Sequence, residues 1–207
     1  MKQVLYGERV RLRPWQYLDS VAQDAWPPFD EPSQVFWHIP RRAALGNAES
    51  TWSYDYDPMR YIWGVENGAG TLIGRVSLRD IDKARNEGRL GISFGSPYVG
   101  QGYGTETMIV FLDHCFGPLE FRKILLDVAG SNRRAVQCYE RLGFHYAGSD
   151  WRAPSARDDL RFLDSPVYRD ILPYVRRSRH GTWVQFFEME LPAAEWRSRR
   201  QAARMAR

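Results

Sequence analysis

The chain has 207 residues, with 29 Lys and Arg against 25 Asp and Glu, for a formal net charge of +4. That length holds one ordinary domain with decorations or two small ones, and 43% hydrophobic against 26% charged residues is the balance of a water-soluble globular protein. No apolar run approaches the roughly 20 residues needed to span a bilayer, the N-terminus lacks a charged-then-apolar leader, and Cys115 and Cys138 have neither metal-ligand nor disulfide-framework spacing. These features predict a cytoplasmic protein in a reducing compartment, without a metal or a membrane partner.

Arg9-Val10-Arg11-Leu12-Arg13 alternates charged and apolar residues, the period of a half-buried strand, and Pro14 ends it. Asp19 or Ser20 caps a short helix running towards Trp26. From Pro27 to about Pro58 the chain is irregular, with one helix expected around Gln34 to Leu45. This stretch carries Trp26, Phe29, Phe36, Trp37, Trp52, Tyr54 and Tyr56, as either a lid over a pocket or a second packing layer. Tyr61 to Glu66 and Thr71 to Arg79 read as strands joined at Asn67-Gly68, a strong hairpin signal. A charged turn, Asp80 to Glu87, leads to a strand over Leu90 to Phe94.

Next comes Gly100-Gln101-Gly102-Tyr103-Gly104-Thr105-Glu106, followed by an apolar-periodic run to Phe116. The pattern is strand, glycine-rich turn, helix. Three glycines at alternate positions remove the Cβ atoms that keep a ligand off the backbone. The first-turn N–H groups of the helix and its positive dipole end then make an anion site. The same turn also serves as a plain tight connection in other chains. It lacks the Gly-Lys-Ser/Thr ending of a nucleotide-binding P-loop.

Lys123 to Val128 is a mostly apolar strand. Asn132 caps a helix that Gly143 stops, and Ala135 and Tyr139 share one side of it with Asn132. On residue type alone Tyr139 reads as a packed helix tyrosine. Further strands are expected over His145 to Trp151 and Trp183 to Leu191, with a helix at Phe162 to Val175 between them. Residues 193–207 form a basic tail, read as a solvated helix or as an RNA contact.

The glycine turn, followed some thirty residues later by Asn132-x-x-Ala135-x-x-x-Tyr139-x-x-x-Gly143-Phe144, resembles the Gcn5-related N-acetyltransferase (GNAT) superfamily. Gly7-Glu8-Arg9-Val10-Arg11-Leu12-Arg13-Pro14 resembles the opening of its ribosomal-protein N-acetyltransferase branch. The resemblance implies an α/β (α+β) fold: a mixed, largely antiparallel sheet of about seven strands flanked by helices. It implies one domain over 1–192, with an insertion at 152–180 that either covers the acceptor or mediates a homodimer. It implies acetyl-CoA as acyl donor, held by backbone groups at Ile92, Phe94, Gln101, Gly102, Tyr103, Gly104 and Thr105. Asn132 matches a cofactor-contacting asparagine, and Tyr139 matches the general acid, also beside the cofactor. The acceptor would be a small-molecule amine or a protein N-terminus. Two positions depart from the pattern: Val99 stands where a Gln or Arg is frequent, and Arg89 stands near the place of a frequent Glu. That leaves Glu66, Asp80 and Glu87 as alternatives for the general base. The competing reading is a non-catalytic CoA- or RNA-binding module on the same fold.

Overall fold

The computed structural model describes residues 3–39, 41 and 61–205. In chain order the strands are β1 (Leu5–Tyr6), β2 (Val10–Pro14), β3 (Tyr61–Asn67), β4 (Leu72–Asp82), β5 (Glu87–Phe94), β6 (Lys123–Ala129), β7 (His145–Arg152), β8 (Val175–Ser178) and β9 (Gly181–Pro192). The α-helices are α1 (Tyr17–Asp24), α2 (Tyr103–Phe116), α3 (Arg133–Leu142) and α4 (Ala193–Met205). Strand order is β1-β2-β3-β4-β5-β6-β9-β7, with β8 paired to β9. The pairs β1 to β5 are antiparallel and β5–β6 is parallel. The mixed, largely antiparallel sheet expected from the resemblance is present, with nine strands among the described residues rather than about seven. The two short strands β1 and β8 carry too little periodicity to be read from sequence.

Two compact units make up the chain. The first comprises the described parts of Met1–Pro28, Trp52–Leu126 and Glu190–Arg207. On β2, Val10 and Leu12 point inward while Arg11 points out, as the alternation dictates. Met108, Phe111, Leu112 and Cys115 form the buried side of α2, and Trp63 of β3 meets Phe111 edge-on at 5.0 Å. The β3–β4 loop takes its left-handed residue at Gly70 rather than at Gly68, because the Asn67 side chain accepts N–H groups from Ala69 and Thr71 and widens the turn. Asp19 does not cap α1. Gln16 does, and Asp19 reaches back to the Gln16 N–H at 2.7 Å. The basic tail is docked rather than solvated. Trp196 of α4 is buried and donates to Asp113, while Arg197 and Arg200 bond to Phe116 O and Asp113.

The second unit comprises the described parts of Phe29–Thr51 and Asp127–Met189. Its core gathers Phe36, Ile39, Ala129, Leu163, Ile171, Val184 and Phe186. The helix expected near Gln34 is a 3₁₀ turn over Pro32–Phe36 capped by Glu31, and most of residues 40–45 lies outside the described residues. The helix expected over 162–175 is also absent. Pro166 and Pro173 each remove a donor, and three 3₁₀ turns replace it: Arg161–Asp164, Pro166–Tyr168 and Leu172–Tyr174. Of the aromatic stretch, Phe36 and Trp37 are packing residues of this unit, with Phe29 against Trp37 at 5.1 Å. Trp52, Tyr54 and Tyr56 lie outside the described residues.

Candidate active site

In the first unit, strand β5 delivers the chain into the glycine turn. Its register pairs Val76 with Ile92 and Gly74 with Phe94, and Gly95 N–H donates to Ile73 O at 3.0 Å. In an antiparallel ladder, that bond makes Gly74–Phe94 a pair whose own N–H and C=O groups face away from each other. The backbone groups of Phe94, and of Ile92 two residues earlier, therefore point away from β4. On that edge the parallel ladder with β6 runs only from Glu87–Lys123 to Leu90–Leu126. Ile92 and Phe94 thus present hydrogen-bonding groups that neither ladder takes up.

The turn that follows is held by its own contacts. Ser96 Oγ donates to Pro27 O at 2.9 Å, Gln101 Nε2 donates to Pro97 O at 2.6 Å, and the Trp26 ring lies against Gly95. Gly100 and Gly102 have φ of +79° and +85°, which favours glycine at both. Gly102 is the N-cap of α2 and brings no capping side chain, so the first-turn N–H groups of α2 face a bare backbone. Gly104 differs. Its φ is not left-handed, and an added Cβ would meet only Phe94 Cε2, at 3.6 Å, an ordinary contact. Nothing in the protein requires glycine there, whereas a ligand lying on the backbone would. Gln101, Gly102, Tyr103, Gly104 and Thr105 thus stand together at one helix terminus directly after Ile92 and Phe94.

Arg9 joins this turn, and the sequence pattern did not point to it. Its backbone N–H and Nε donate to Glu106 Oε1 and Oε2 at 2.6 and 2.9 Å, its Nη1 donates to Gln101 O at 3.1 Å, and its guanidinium lies 5.0 Å from the Tyr103 ring centre. The signal available was a missing cation at Val99 and a charged Glu8-Arg9 pair just before β2.

The three base alternatives are all tied down in ion pairs. Glu66 is buried between Arg11 Nε at 2.7 Å and Arg13 Nε at 2.6 Å, and Arg13 also pairs with buried Asp19. Burial pushes the Glu66 pKa up, but the hydrogen bonds from Arg13 and Arg11 outweigh it and hold the group below its ordinary value. That is the wrong direction for a base. Asp80 sits against Arg79 at 2.7 Å and Arg89 at 3.6 Å, and Glu87 against Lys123 at 3.3 Å. The Arg89 departure is thereby explained as a partner for Asp80.

In the second unit, Asn132 and Tyr139 lie on α3. The Asn132 side-chain oxygen accepts the Ala135 N–H at 3.2 Å, so its cap is formed, and its amide N–H₂ remains for another partner. Tyr139 is buried beside Phe144, with ring centres 5.9 Å apart. Burial pushes its hydroxyl far above the ordinary tyrosine pKa, with the neighbouring Cys138 adding to the shift, so it is a proton donor at any physiological pH. The two arginines beside the cap, Arg133 and Arg134, are both exposed, and Arg134 lies over Trp37 at 5.4 Å.

Among the described residues no group of His, Cys, Asp and Glu is arranged to hold a metal ion, and no helix is long and apolar enough to cross a membrane. Comparison with known proteins bears on the family. The model of the acetyltransferase (GNAT) domain matches residues 9–145. The spermidine N(1)-acetyltransferase of Escherichia coli K12 is 26% identical over 141 residues, 68% of this chain and 71% of that one. The aminoglycoside N(6')-acetyltransferase type 1 of Klebsiella pneumoniae is 28% identical over 137 residues, 65% of this chain and 55% of that one. Matches thus span between about half and seven-tenths of these curated relatives. A solved GCN5-related N-acetyltransferase from Brucella melitensis shares the fold at a TM-score of 0.68 and 19% identity, covering 99% of this chain and 85% of that one. The family model covers well over half of the sequence and includes both the glycine turn and α3, so the chain belongs to the GNAT acetyltransferase family.

Proposed function

We propose that this protein moves the acetyl group of acetyl-CoA to the primary amine of a small molecule by direct attack on the thioester. The observation that carries the reading is the backbone at Ile92 and Phe94, turned off the sheet immediately before a glycine turn and an uncapped helix terminus. The cosubstrate fits what is present. The pyrophosphate would rest on the N–H groups from Gln101 to Thr105, where Gly104 leaves room, and the pantetheine arm would run along Ile92 and Phe94. The bound thioester supplies an activated acyl group.

The chain's own residues then have defined tasks. As the amine nitrogen bonds to the carbonyl carbon, negative charge gathers on the carbonyl oxygen. The Phe94 N–H donates to it, an interaction worth roughly 3 kcal/mol when well aimed. The carbon–sulfur bond breaks, and the Tyr139 hydroxyl gives its proton to the departing sulfur. The amine must arrive neutral, and with Glu66, Asp80 and Glu87 all engaged, its proton leaves through water. Small amines take precedence over a protein N-terminus because the named relatives act on spermidine and aminoglycosides. The RNA-binding alternative loses support because Arg197 and Arg200 are spent inside the first unit.

The test is CoA thiol release from acetyl-CoA against a panel of polyamines, aminoglycosides and N-terminal peptides. Release that needs one class of amine supports the proposal. Binding of CoA with no release on any amine favours the non-catalytic module.

A further inference from the structure

The first turn of α2 carries an apparent contradiction. An anion is to bind there, yet Glu106 places a carboxylate in that same turn. A carboxylate at a helix N-terminus suits the dipole, but it repels a second anion. Val99 supplies no compensating cation.

Arg9 resolves it. Its contacts fix the guanidinium on Gln101, Tyr103 and Glu106, three residues of the turn itself. Its Nη2 lies 3.0 Å from the point where a Cβ on Gly102 would stand, so it borders the N-cap of α2. A guanidinium has five N–H donors. Glu106 takes the one on Nε and Gln101 O takes one on Nη1. The Nη2 nitrogen makes no hydrogen bond among the described residues. The Arg9 side chain is half exposed. An ion pair that wet contributes at most about 1 kcal/mol to stability, so folding alone gives little reason for so constrained a contact.

We propose that Arg9 is a side-chain ligand of the CoA pyrophosphate, entering from the start of β2 to supply the cation that Val99 lacks, and that Glu106 is its holder rather than a catalytic group. Glu106 orients Nε so that Nη2 faces the ligand, and Arg9 in turn cancels the carboxylate that would repel the phosphates. Planar, two-donor recognition of phosphate is what arginine does best. This inference rests on the acetyl-CoA reading and assigns a residue to it.

The experiment is calorimetric binding of CoA and 3'-dephospho-CoA to wild type, R9Q, E106Q and R9Q/E106Q, with kcat/KM for acetyl-CoA and for acetyl-pantetheine, which has no pyrophosphate. R9Q should weaken CoA and 3'-dephospho-CoA alike by about tenfold or more, with acetyl-pantetheine turnover unchanged. R9Q/E106Q should bind more tightly than R9Q, since the uncancelled carboxylate is gone. Three results would overturn the assignment: R9Q binding CoA as tightly as wild type, a loss confined to CoA that places Arg9 on the 3'-phosphate, or equal losses of acetyl-CoA and acetyl-pantetheine turnover that make Arg9 merely structural. Wild type that binds no CoA at all would remove the acetyl-CoA reading and this inference with it.

Discussion

At the residue scale, Tyr139 and Glu66 show how surroundings shift a titration. Both are buried and both titrate away from their ordinary values, but in opposite senses for chemistry. Tyr139 keeps its proton, so Tyr139→Phe should leave acetyl-CoA affinity within about twofold and lower kcat by on the order of 10²-fold, the scale of general-acid help. Wild-type kcat should show no alkaline fall from this group near pH 10, where a free tyrosine titrates. Steady-state kinetics across pH checks both, and an unchanged kcat in the phenylalanine variant removes Tyr139 from the mechanism. Glu66 has its folded pKa depressed, so it contributes stability above its unfolded pKa, and that contribution is lost as pH falls through the folded value. Thermal melts should therefore drop below about pH 4.5 in wild type, and less steeply in Glu66→Gln. That variant should also be destabilised by about 3 kcal/mol, because Arg11 and Arg13 lose a buried partner, while the pH profile of turnover stays put. The place of Tyr139 on one side of α3 with Asn132 was legible from their spacing. The fate of Glu66 was not, because Arg11 and Arg13 lie more than fifty positions away and only the β2–β3 register brings them together.

At the scale of elements, the glycine turn separates two kinds of glycine. Gly100 and Gly102 answer to backbone conformation, whereas Gly104 has no such need and under the proposed function leaves room for acetyl-CoA. Gly104→Ala should therefore raise the stability of the free protein by up to about 1 kcal/mol, since alanine is the better helix residue, and yet raise KM for acetyl-CoA at least tenfold. Gly102→Ala should lose both stability and binding, because the φ is unfavourable and Arg9 is displaced. Melting curves and acetyl-CoA saturation curves on the two variants test this. The reverse order, with Gly104→Ala the unstable one, would contradict the site. The turn and its flanking strand and helix were readable from local pattern alone. Helix α4 was read as solvated because its arginines dominate its composition. Its anchor, Trp196, shows its importance only once Asp113 of α2 is beside it. Trp196→Ala should cost about 3–5 kcal/mol in a denaturant titration, with KM for acetyl-CoA unchanged.

At the scale of the whole molecule, the order from β2 to β6, with helices α2 and α3, was legible because each of these elements carries its own period and punctuation. Residues 153–174 were not legible. Their prolines turn an apparent helix into 3₁₀ turns, whose Leu163 and Ile171 are used by the core of the second unit. The proposed function is acetyl transfer from acetyl-CoA to an amine, with Tyr139 as the proton donor. The most direct test is thiol release from acetyl-CoA by wild type and Tyr139→Phe over the amine panel, with CoA binding measured on the same samples. Amine-dependent release in wild type, cut on the order of 10²-fold in the variant with CoA binding intact, is the predicted result. Full release by the variant, or CoA binding without release on any amine, would contradict it.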